Sequence, residues 1–249
     1  MMKEEMGFRK LVIIPVHNEI GKIGKVLRRF KGILVDEICL VLDFPSQCIL
    51  DEIEISKQGI DVPLHLIKNG VKKGVGYAIR EGIIYALENG FDIIVVMAGN
   101  NKDDPREIPV LLAPIIREDY DYVQGSRFMF GGSHKKNPLF RKLFSRTYPL
   151  MWSFFTKSKC TEVTNGFRAY KSSLFSDKGI NIWQSWLDHY GLEYYIHYKV
   201  LTSGYKVKEV PVSKVYPYSN KGGYSNISPF KDWWDIIGPL LYLKLGARK

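Results

Sequence analysis

Apolar residues in the first hundred positions form two kinds of pattern, short unbroken runs and sets with helical spacing. The unbroken runs are typical of strands that are buried on both faces, and polar residues that begin a loop follow each of them. They lie in four segments: KLVIIPVHNE, DEICLVLDFPS, VPLHLIKNG and FDIIVVMAGN. The helical sets are IGKIGKVLRRF, with apolar positions from Ile20 to Phe30, and GVGYAIREGIIYALENG, which Gly90 is placed to end. This alternation predicts an α/β fold, a Rossmann-like and mostly parallel sheet with helices on both faces.

The second half of the chain is less regular. Strand patterns occur in YDYVQGSRF and GYKVKEVPVSKVYPY, with a turn-rich segment, TNGFRAYKSSLF, between them. Residues 131–159 are aromatic and basic with helical spacing, and we expect Pro149 to interrupt that helix. The tail, SPFKDWWDIIGPLLYLKLGARK, is aromatic and apolar and ends in basic residues. Since the sequence contains neither a repeat nor a linker, we predict one domain over residues 1–249 with an irregular C-terminal region.

The charge of the chain narrows the choice of partner. Its 249 residues include 36 Lys and Arg against 26 Asp and Glu, a formal net charge of +10. This excess favours an anionic partner such as nucleotide phosphates, a membrane surface or nucleic acid. No nucleic-acid-reading module is recognisable, so we discount nucleic acid.

Cysteine usage and the chain termini indicate the compartment. Three cysteines without a CxxC pair argue against a disulfide framework or a zinc site and favour a reducing compartment. The charged start of the chain lacks the apolar core of a signal peptide, and no apolar run reaches the ~20 residues that span a bilayer. We therefore expect a cytoplasmic protein.

Polar residues at the ends of the predicted strands are candidates for a ligand pocket. They are Pro15, His17, Glu19, Asp43 and Asn100. In parallel sheets, ligands bind at the carboxyl ends of the strands, where acids accept hydrogen bonds from a base or a ribose. The alternatives are local, since Glu19 would complement the dipole of the next helix and Asp43 would cap a turn. Their shared placement at one edge of the sheet favours ligand binding.

Four further residues are suited to binding phosphate. Gly74 and Gly76 would bring backbone N–H groups close to a phosphate, although tight packing of a helix explains the same pair. Arg127 and Arg168 each lie in a turn two residues after a glycine, and a guanidinium binds phosphate through two parallel hydrogen bonds. The alternative for both is an arginine on the surface or paired with a carboxylate.

Six short motifs occur together in the order typical of one enzyme family: IPVHNE, VLDFPS, GVGYAIREG, GSR, TEVTNGFRAY and EVPV. Over roughly residues 10–215 the sequence resembles the family 2 glycosyltransferases, especially the dolichyl-phosphate-mannose synthase-like branch. The resemblance implies the GT-A fold and transfer of a sugar, with inversion, from a nucleotide-diphosphate sugar. The acceptor that it implies is a polyprenyl phosphate or a lipid-linked glycan. Within the single domain we expect a nucleotide-sugar-binding half at about 10–125, an acceptor half at about 126–228 and an amphipathic aromatic and basic tail at 229–249.

The metal motif of the resembling family is altered. In that family the fourth strand ends in Asp-x-Asp, whose acids hold Mg²⁺ or Mn²⁺ against the diphosphate. In this sequence the three positions are Ala98, Gly99 and Asn100, of which only Asn100 offers a side-chain oxygen. Asp103 and Asp104 are candidate ligands further along, and their alternative role is to cap a helix that begins at Pro105. We therefore expect the divalent-cation site to be weakened, shifted or absent.

The chemistry of the acceptor decides whether a general base is needed. For a hydroxyl acceptor we choose Asp188, in the segment WLDHYGLE, as the base, with an acid on a helix surface as the alternative interpretation. A phosphate acceptor is already a nucleophilic anion and needs no base. Arg127, Arg168 and neighbouring lysines would meet the charge of the leaving nucleotide.

Residues 139–159 and 229–249 combine aromatic, apolar and basic side chains, which suits a membrane surface. We expect peripheral attachment to the inner face of a membrane, with packing on the core or on a second subunit as the alternative. Two other functions remain open. One is a non-catalytic nucleotide-sugar-binding protein, which the missing acids favour. The other is a nucleotidyltransferase, which would need a better glycine-rich basic loop after the first strand than PVHNEIGKIGK provides.

Overall fold

The computed structural model describes residues 7–135, 139–216 and 233–248. Its main sheet contains seven strands: β1 Lys10–Val16, β2 Glu37–Asp43, β3 Leu64–Asn69, β4 Ile93–Val96, β5 Tyr122–Ser126, β7 Arg168–Lys171 and β8 Val207–Pro211. A second, two-stranded sheet pairs β6 Ser133–Lys135 with β9 Ser213–Val215. The order in the main sheet is β3-β2-β1-β4-β7-β5-β8. All neighbours in it run parallel except β7, which is antiparallel to both β4 and β5. The prediction of a mostly parallel sheet is confirmed.

Helices cover both faces of the main sheet, as predicted. The α-helices in the described part are α1 Ile23–Leu27, α2 Gln47–Lys57, α3 Val75–Glu88, α4 Ile108–Glu118, α5 Leu139–Thr156, α6 Gly191–Thr202 and α7 Trp233–Lys244. Successive residues of a strand point to opposite faces, so Val12 and Ile14 of β1 pack with α1, α2 and α4. Leu11 and Ile13 pack on the other face with α3 and α6. Both faces of β1 are therefore buried, which explains its unbroken apolar run.

Two helix predictions need correction. The helix after β1 begins at Ile23 rather than at Ile20, which is 50% exposed. A turn with a left-handed Gly21 precedes it, and the carbonyl of Glu19 accepts from the N–H groups of Lys22 and Ile23. Pro149 does not interrupt α5, which runs from Leu139 to Thr156. Burial of the helix face around the proline, against α6, offsets the hydrogen bond that a proline removes.

A third apolar cluster joins the C-terminal helices to the rest of the molecule. Trp152 of α5, Tyr194 of α6 and Leu240 of α7 pack together there. Lys244 of α7 also donates to the carbonyl oxygen of Phe155 in α5. The described part of the tail thus contacts the protein, which favours the alternative of packing on the core, while residues 229–232 lie outside the described residues. Among the described residues, no helix combines the length and apolar character needed to cross a bilayer.

The strand order places strands from the predicted nucleotide-sugar-binding half and the predicted acceptor half in the same sheet. Strand β7 belongs to the second half by sequence but lies between β4 and β5, and β8 extends the sheet beyond β5. The loops that follow β1, β2, β3 and β4 consequently meet at one carboxyl edge, and the loop after β5 reaches the same edge. This edge is where the candidate residues of the sequence come together.

Candidate active site

The loops after β1 and β2 bring together three of the predicted residues. The backbone N–H of His17 donates to Glu19 Oε2 at 2.6 Å. The ring Nδ1 of His17 donates to the carbonyl oxygen of Asp43 at 2.7 Å. His17, Glu19 and Asp43 therefore form one hydrogen-bonded group at the carboxyl edge, with Pro15 half-buried at the end of β1.

The carboxylate of Asp43 holds the loop that follows β3. It is 4% exposed and accepts from the backbone N–H of Lys73 at 2.8 Å and of Gly74 at 3.0 Å. Because Gly74 immediately precedes α3, the negative charge also lies at the positive end of that helix dipole. The geometry favours the capping role that was the alternative for Asp43, and this role shapes the edge next to His17.

Gly74 and Gly76 allow close packing of another backbone segment. A Cβ atom on Gly76 would lie 1.9 Å from the carbonyl oxygen of Leu187, and one on Gly74 would lie 2.6 Å from that of Asp188. The N–H of Tyr77 donates to the same Asp188 carbonyl at 2.9 Å. The segment around residue 188 thus covers the start of α3, and packing accounts for both glycines without a phosphate.

The predicted base, Asp188, is held by an arginine of α3. Its Oδ1 lies 2.5 Å from Nη2 of Arg80, whose Nη1 donates to the carbonyl oxygen of Ile182 at 3.1 Å. The carboxylate remains 31% exposed. This ion pair anchors the segment to α3, so the structure favours a structural role for Asp188.

The loop after β4 contains the altered metal motif. Gly99 lies tightly against β1, since a Cβ on it would be 3.3 Å from side-chain atoms of Ile14 and Val16. Asn100 Oδ1 accepts from the backbone N–H of Lys102 at 3.2 Å. Asn101 has a left-handed φ of 60°, and its Oδ1 is buried without a hydrogen-bond partner among the described residues.

The two aspartates that end this loop are paired with cations. Asp104 caps the following turn by accepting from the backbone N–H of Arg106 at 3.1 Å, which is the alternative role given for it above, and it also binds the Arg106 guanidinium. Asp103 is 1% exposed and forms an ion pair with Lys214 of β9 at 2.9 Å. Both carboxylates are therefore neutralised by a basic side chain.

These contacts test whether the loop suits Mg²⁺ or Mn²⁺. Hard divalent cations prefer several carboxylate oxygens. This loop offers amide oxygens from Asn100 and Asn101 and two carboxylates, which Lys214 and Arg106 already neutralise. Within residues 7–135, 139–216 and 233–248, no group of three or more His, Cys, Asp or Glu is placed to hold a metal ion. The donor set therefore does not fit a bound divalent cation.

Arg127 lies in a buried network rather than at an open surface. Its Nε and Nη2 donate to the carboxylate of Glu162 at 2.6 and 2.9 Å. Nη2 also donates to Thr164 Oγ1 at 2.7 Å, and Nη1 donates to the hydroxyl of Tyr216 at 2.9 Å. The side chains of Arg127 and Glu162 are 3% and 0% exposed. The geometry favours the alternative of an arginine paired with a carboxylate.

Electrostatics keep both members of this pair charged. Burial opposes the charge on Arg127, but the neighbouring Glu162 raises the pKa of the guanidinium above its usual value. Burial likewise favours the neutral form of Glu162, yet the charge of Arg127 and hydrogen bonds from Thr164 hold its pKa below the usual range. The pair is thus a stable ionic link between the end of β5 and the segment before β7.

Arg168 is also committed to the fold. It is 1% exposed, and its guanidinium donates to the backbone carbonyls of Asn165, Glu193 and Val163 at 2.8, 2.7 and 2.7 Å. These three contacts fix the segment before β7 against α6. A direct role of Arg168 on a leaving nucleotide has no support in this arrangement.

Sequence reasoning missed three residues at this edge. Phe44 directly follows Asp43, has a left-handed φ of 58° and is 60% exposed, which is an uncommon state for an aromatic residue. Lys214 and Glu162 are buried partners of residues that the sequence did single out. The detectable signal was an apolar residue at a loop position for Phe44, and an acid inside the TEVTNGFRAY motif for Glu162.

A cavity of about 340 Å³ opens beside the loop after β4. Three basic side chains, Arg29, Lys102 and Arg106, line it together with Asp104 and Glu107. It lies between this loop and β9, because Ser213 and Val215 complete its lining.

Comparison with known proteins identifies relatives along most of the chain. The family described as glycosyl transferase family 2 matches residues 11–179. An undecaprenyl-phosphate mannosyltransferase of Micrococcus luteus is 28% identical over 207 residues, which cover 83% of this chain and 84% of that protein. A UDP-N-acetylglucosamine–dolichyl-phosphate N-acetylglucosaminyltransferase of Methanococcus voltae is also 28% identical, covering 94% of this chain and 96% of that protein.

Solved structures share the fold at lower identity. Glucosyl-3-phosphoglycerate synthase of Mycobacterium tuberculosis, in complex with Mn²⁺, UDP and phosphoglyceric acid, superposes with a TM-score of 0.72 at 14% identity. The superposition covers 99% of this chain and 82% of that one. The same enzyme with Mg²⁺ and UDP gives a TM-score of 0.71 at 15% identity, over 99% and 83% of the two chains. This likeness bears on the fold alone.

Proposed function

The chain belongs to glycosyl transferase family 2, and from this premise we propose that it transfers a sugar from a nucleotide-diphosphate sugar to a polyprenyl phosphate at a membrane surface. The assignment of the acceptor class is supported by how much of this chain matches the relatives named above. Two proteins whose names specify polyprenyl-phosphate acceptors match more than four-fifths of this chain and of their own length. The GT-A-like sheet and the group at its carboxyl edge support the donor class.

The nucleoside of the donor would bind at the edge formed by the loops after β1 and β2. Glu19 and His17 offer polar groups there, and Asp43 fixes the neighbouring loop through its hydrogen bonds to Lys73 and Gly74. The exposed ring of Phe44 suits stacking against a base, and backbone strain of this kind is concentrated at binding sites.

A phosphate acceptor needs no general base, which agrees with the ion pair that Asp188 forms with Arg80. In the proposed step an oxygen of the polyprenyl phosphate forms a bond to the anomeric carbon, on the face opposite the leaving group. The bond between that carbon and the nucleoside diphosphate breaks, and the diphosphate leaves with the electron pair. Because the nucleophile is already an anion, no proton has to be removed, and an Asp188 bound to Arg80 is no obstacle.

The altered loop after β4 supports a weak dependence on divalent metal. Enzymes with this fold have been crystallised with Mn²⁺ or Mg²⁺ beside UDP. In this chain the corresponding carboxylates are missing, and those further along are paired with Lys214 and Arg106. We expect donor binding to persist in a chelator.

A stripe on α5 suits the surface of an anionic bilayer. Arg146, Leu150 and Phe154 are spaced by four residues each, so they share one side of the helix, and Lys157 directly follows the end of α5. Leu150 and Phe154 are 68% and 79% exposed, and both cations are exposed at the ends of the stripe. Apolar side chains between basic ones are typical of segments that lie in the headgroup region. An acceptor lipid would be reached from this surface.

Transfer to lipid tests the function directly. The protein is incubated with vesicles that contain polyprenyl phosphate and with each of a panel of sugar-labelled UDP and GDP sugars, and label in the organic phase is measured. We expect lipid-linked label from one donor. Binding of a nucleotide sugar without lipid product would favour the non-catalytic binder. Release of pyrophosphate from a nucleoside triphosphate and a sugar phosphate would favour the nucleotidyltransferase.

Co-sedimentation with vesicles tests the stripe. Leu150→Asp with Phe154→Asp should reduce sedimentation with anionic vesicles at low salt, because apolar burial is lost and acidic charge is added. Ile55→Asp is the matched control, since Ile55 is 71% exposed on α2 and belongs to no such stripe. Equal sedimentation of both variants would exclude this surface as the membrane contact.

A further inference from the structure

Strand β9 lies along the altered loop after β4. The N–H of Val215 donates to the carbonyl oxygen of Lys102 at 2.9 Å. The N–H of Ser213 donates to both carboxylate oxygens of Glu107, at 3.0 and 2.9 Å. Between these two anchors, the side chain of Lys214 is 11% exposed and points into the protein.

The ammonium of Lys214 binds the loop after β4 through Asp103 and the segment before β7 through Asn165. Its Nζ lies 2.9 Å from Asp103 Oδ1, and it donates to Asn165 Oδ1 at 2.9 Å and to Asp103 Oδ2 at 3.3 Å. Asn165 is itself fixed by a hydrogen bond to the carbonyl of Gly125 at 2.9 Å. One fixed cation therefore links the loop after β4, the end of β5 and the segment before β7.

Two further cations surround this link. Both contact Tyr216, the residue after β9. Nη1 of Arg127 donates to its hydroxyl at 2.9 Å, and Nζ of Lys102 lies 5.3 Å from the centre of its ring. The carboxylate of Asp103 also contributes to the field at Arg127. Lys214 and Arg127 are thus each paired with a buried acid, Asp103 and Glu162 respectively, and Lys102 lies close to the same tyrosine as Arg127.

We propose that Lys214 is the fixed cation of the donor site and replaces a divalent metal there. The inference rests on the proposed function. Lys214 neutralises Asp103, so that the loop keeps its conformation without Mg²⁺ or Mn²⁺. An ammonium has three N–H donors, and hydrogen bonds to Asp103 and Asn165 account for two of them among the described residues. In this proposal the third N–H donates to an oxygen of the donor diphosphate when the donor is bound.

A charge-free double variant separates this role from a purely structural one. Asp103→Asn with Lys214→Met removes both buried charges together and leaves neither partner unpaired, which limits the loss of stability. The matched control is Asp36→Asn with Lys10→Met, because Lys10 and Asp36 form another ion pair, at 3.6 Å, at the opposite end of β1, with Lys10 buried and Asp36 exposed. The first probe is UDP or GDP, whichever raises the melting temperature of the wild type more. The second probe is the phosphate-free nucleoside with the same base.

The diphosphate titrations are made in EDTA by calorimetry. We expect the wild type to bind the nucleoside diphosphate, the double variant to bind it about 10-fold more weakly, and the control to bind it as the wild type does. Binding of the phosphate-free nucleoside should be equal in all three proteins. Unchanged diphosphate affinity in the double variant would overturn the inference while leaving the proposed function intact. No diphosphate binding by the wild type, with or without Mn²⁺, would overturn both.

Two measurements do not depend on the double variant. The wild type should bind its donor equally well in EDTA and in Mn²⁺, and an absolute need for Mn²⁺ would overturn the inference. Lys214→Met alone leaves Asp103 unneutralised in the loop that also contains Asn100 and Asn101. Electron paramagnetic resonance should then detect bound Mn²⁺ that the wild type lacks, and Mn²⁺ bound equally by both would count against Lys214 as the replacement.

Discussion

Replacing Arg127 by methionine should destabilise the fold strongly, rather than only slow catalysis. The change removes two hydrogen bonds to Glu162, one to Thr164 and one to Tyr216, all between 2.6 and 2.9 Å. It also leaves the carboxylate of Glu162, whose side chain is 0% exposed, without a counter-charge. Breaking a buried pair in this way costs about 3–5 kcal/mol. That is a large part of the ~5–15 kcal/mol by which domains are stable.

Equilibrium unfolding in urea measures the effect. With the slope usual for domains, the loss moves the midpoint of unfolding by about 1–2 M. Glu162→Gln alone should cost a similar amount, because Arg127 then becomes the unpaired charge. Arg127→Met combined with Glu162→Gln should cost less than the sum of the single changes, since neither charge remains.

The pH dependence of the Arg127→Met variant gives a second signature. In the wild type the pKa of Glu162 lies below its usual range, so this group adds stability above the unfolded pKa and loses it as pH falls through the folded pKa. Without Arg127 the effect of burial dominates, and the pKa of Glu162 rises above its unfolded value. The variant should therefore gain stability relative to the wild type as pH falls from neutral toward 5.

A different outcome would refute this reasoning. If Arg127→Met unfolds within ~1 kcal/mol of the wild type at neutral pH, and binds the nucleotide diphosphate far more weakly, then Arg127 is a substrate-binding residue. A difference in stability that does not change with pH would likewise show that Glu162 does not depend on Arg127.

Three further predictions concern other parts of the edge and the core. Gly76→Ala should lower the melting temperature, because its Cβ would lie 1.9 Å from the carbonyl oxygen of Leu187, and overpacking of this kind costs about 1–3 kcal/mol. Phe44→Gly should weaken nucleotide binding about 10-fold, because stacking on the base is lost. The melting temperature should stay unchanged or rise, because glycine adopts the left-handed φ of 58° without strain. Tighter nucleotide binding by this variant would exclude stacking. His197 is buried, and burial lowers its pKa well below the usual value, so stability should fall as pH drops below ~6.5, by up to ~1.4 kcal/mol per unit. His197→Phe should remove that slope in pH-dependent urea unfolding, and an unchanged slope would assign it to other groups.

Local patterns predicted the parts of the fold that depend on local burial. Strands such as β1 and β4 are covered on both faces, so their residues form unbroken apolar runs that can be recognised in the sequence. The meeting of His17 with Asp43 followed from the rule that parallel strands share a carboxyl edge. The position of β7 between β4 and β5 had no such signal, because a strand order is decided by contacts distant in sequence.

The sequence alone did not predict which charged residues pair with each other. Lys214 meets Asp103 across 111 positions, and Arg80 meets Asp188 across 108. Motif spacing identified Arg127 as important, but the sequence does not distinguish a buried structural arginine from one that binds substrate. Only the side-chain partners distinguish them, and those partners are set by the folded chain.

The most direct test of the account is a comparison of two acceptors in EDTA. Vesicles contain either a polyprenyl phosphate or the polyprenol of the same chain length, and the wild-type protein is supplied with the donor that it binds. The account predicts a lipid-linked sugar from the phosphate alone, with an anomeric configuration opposite to that of the donor, at a rate that added Mn²⁺ does not change. A glycosylated polyprenol, a product that forms only with Mn²⁺, or no lipid product from any donor would contradict it.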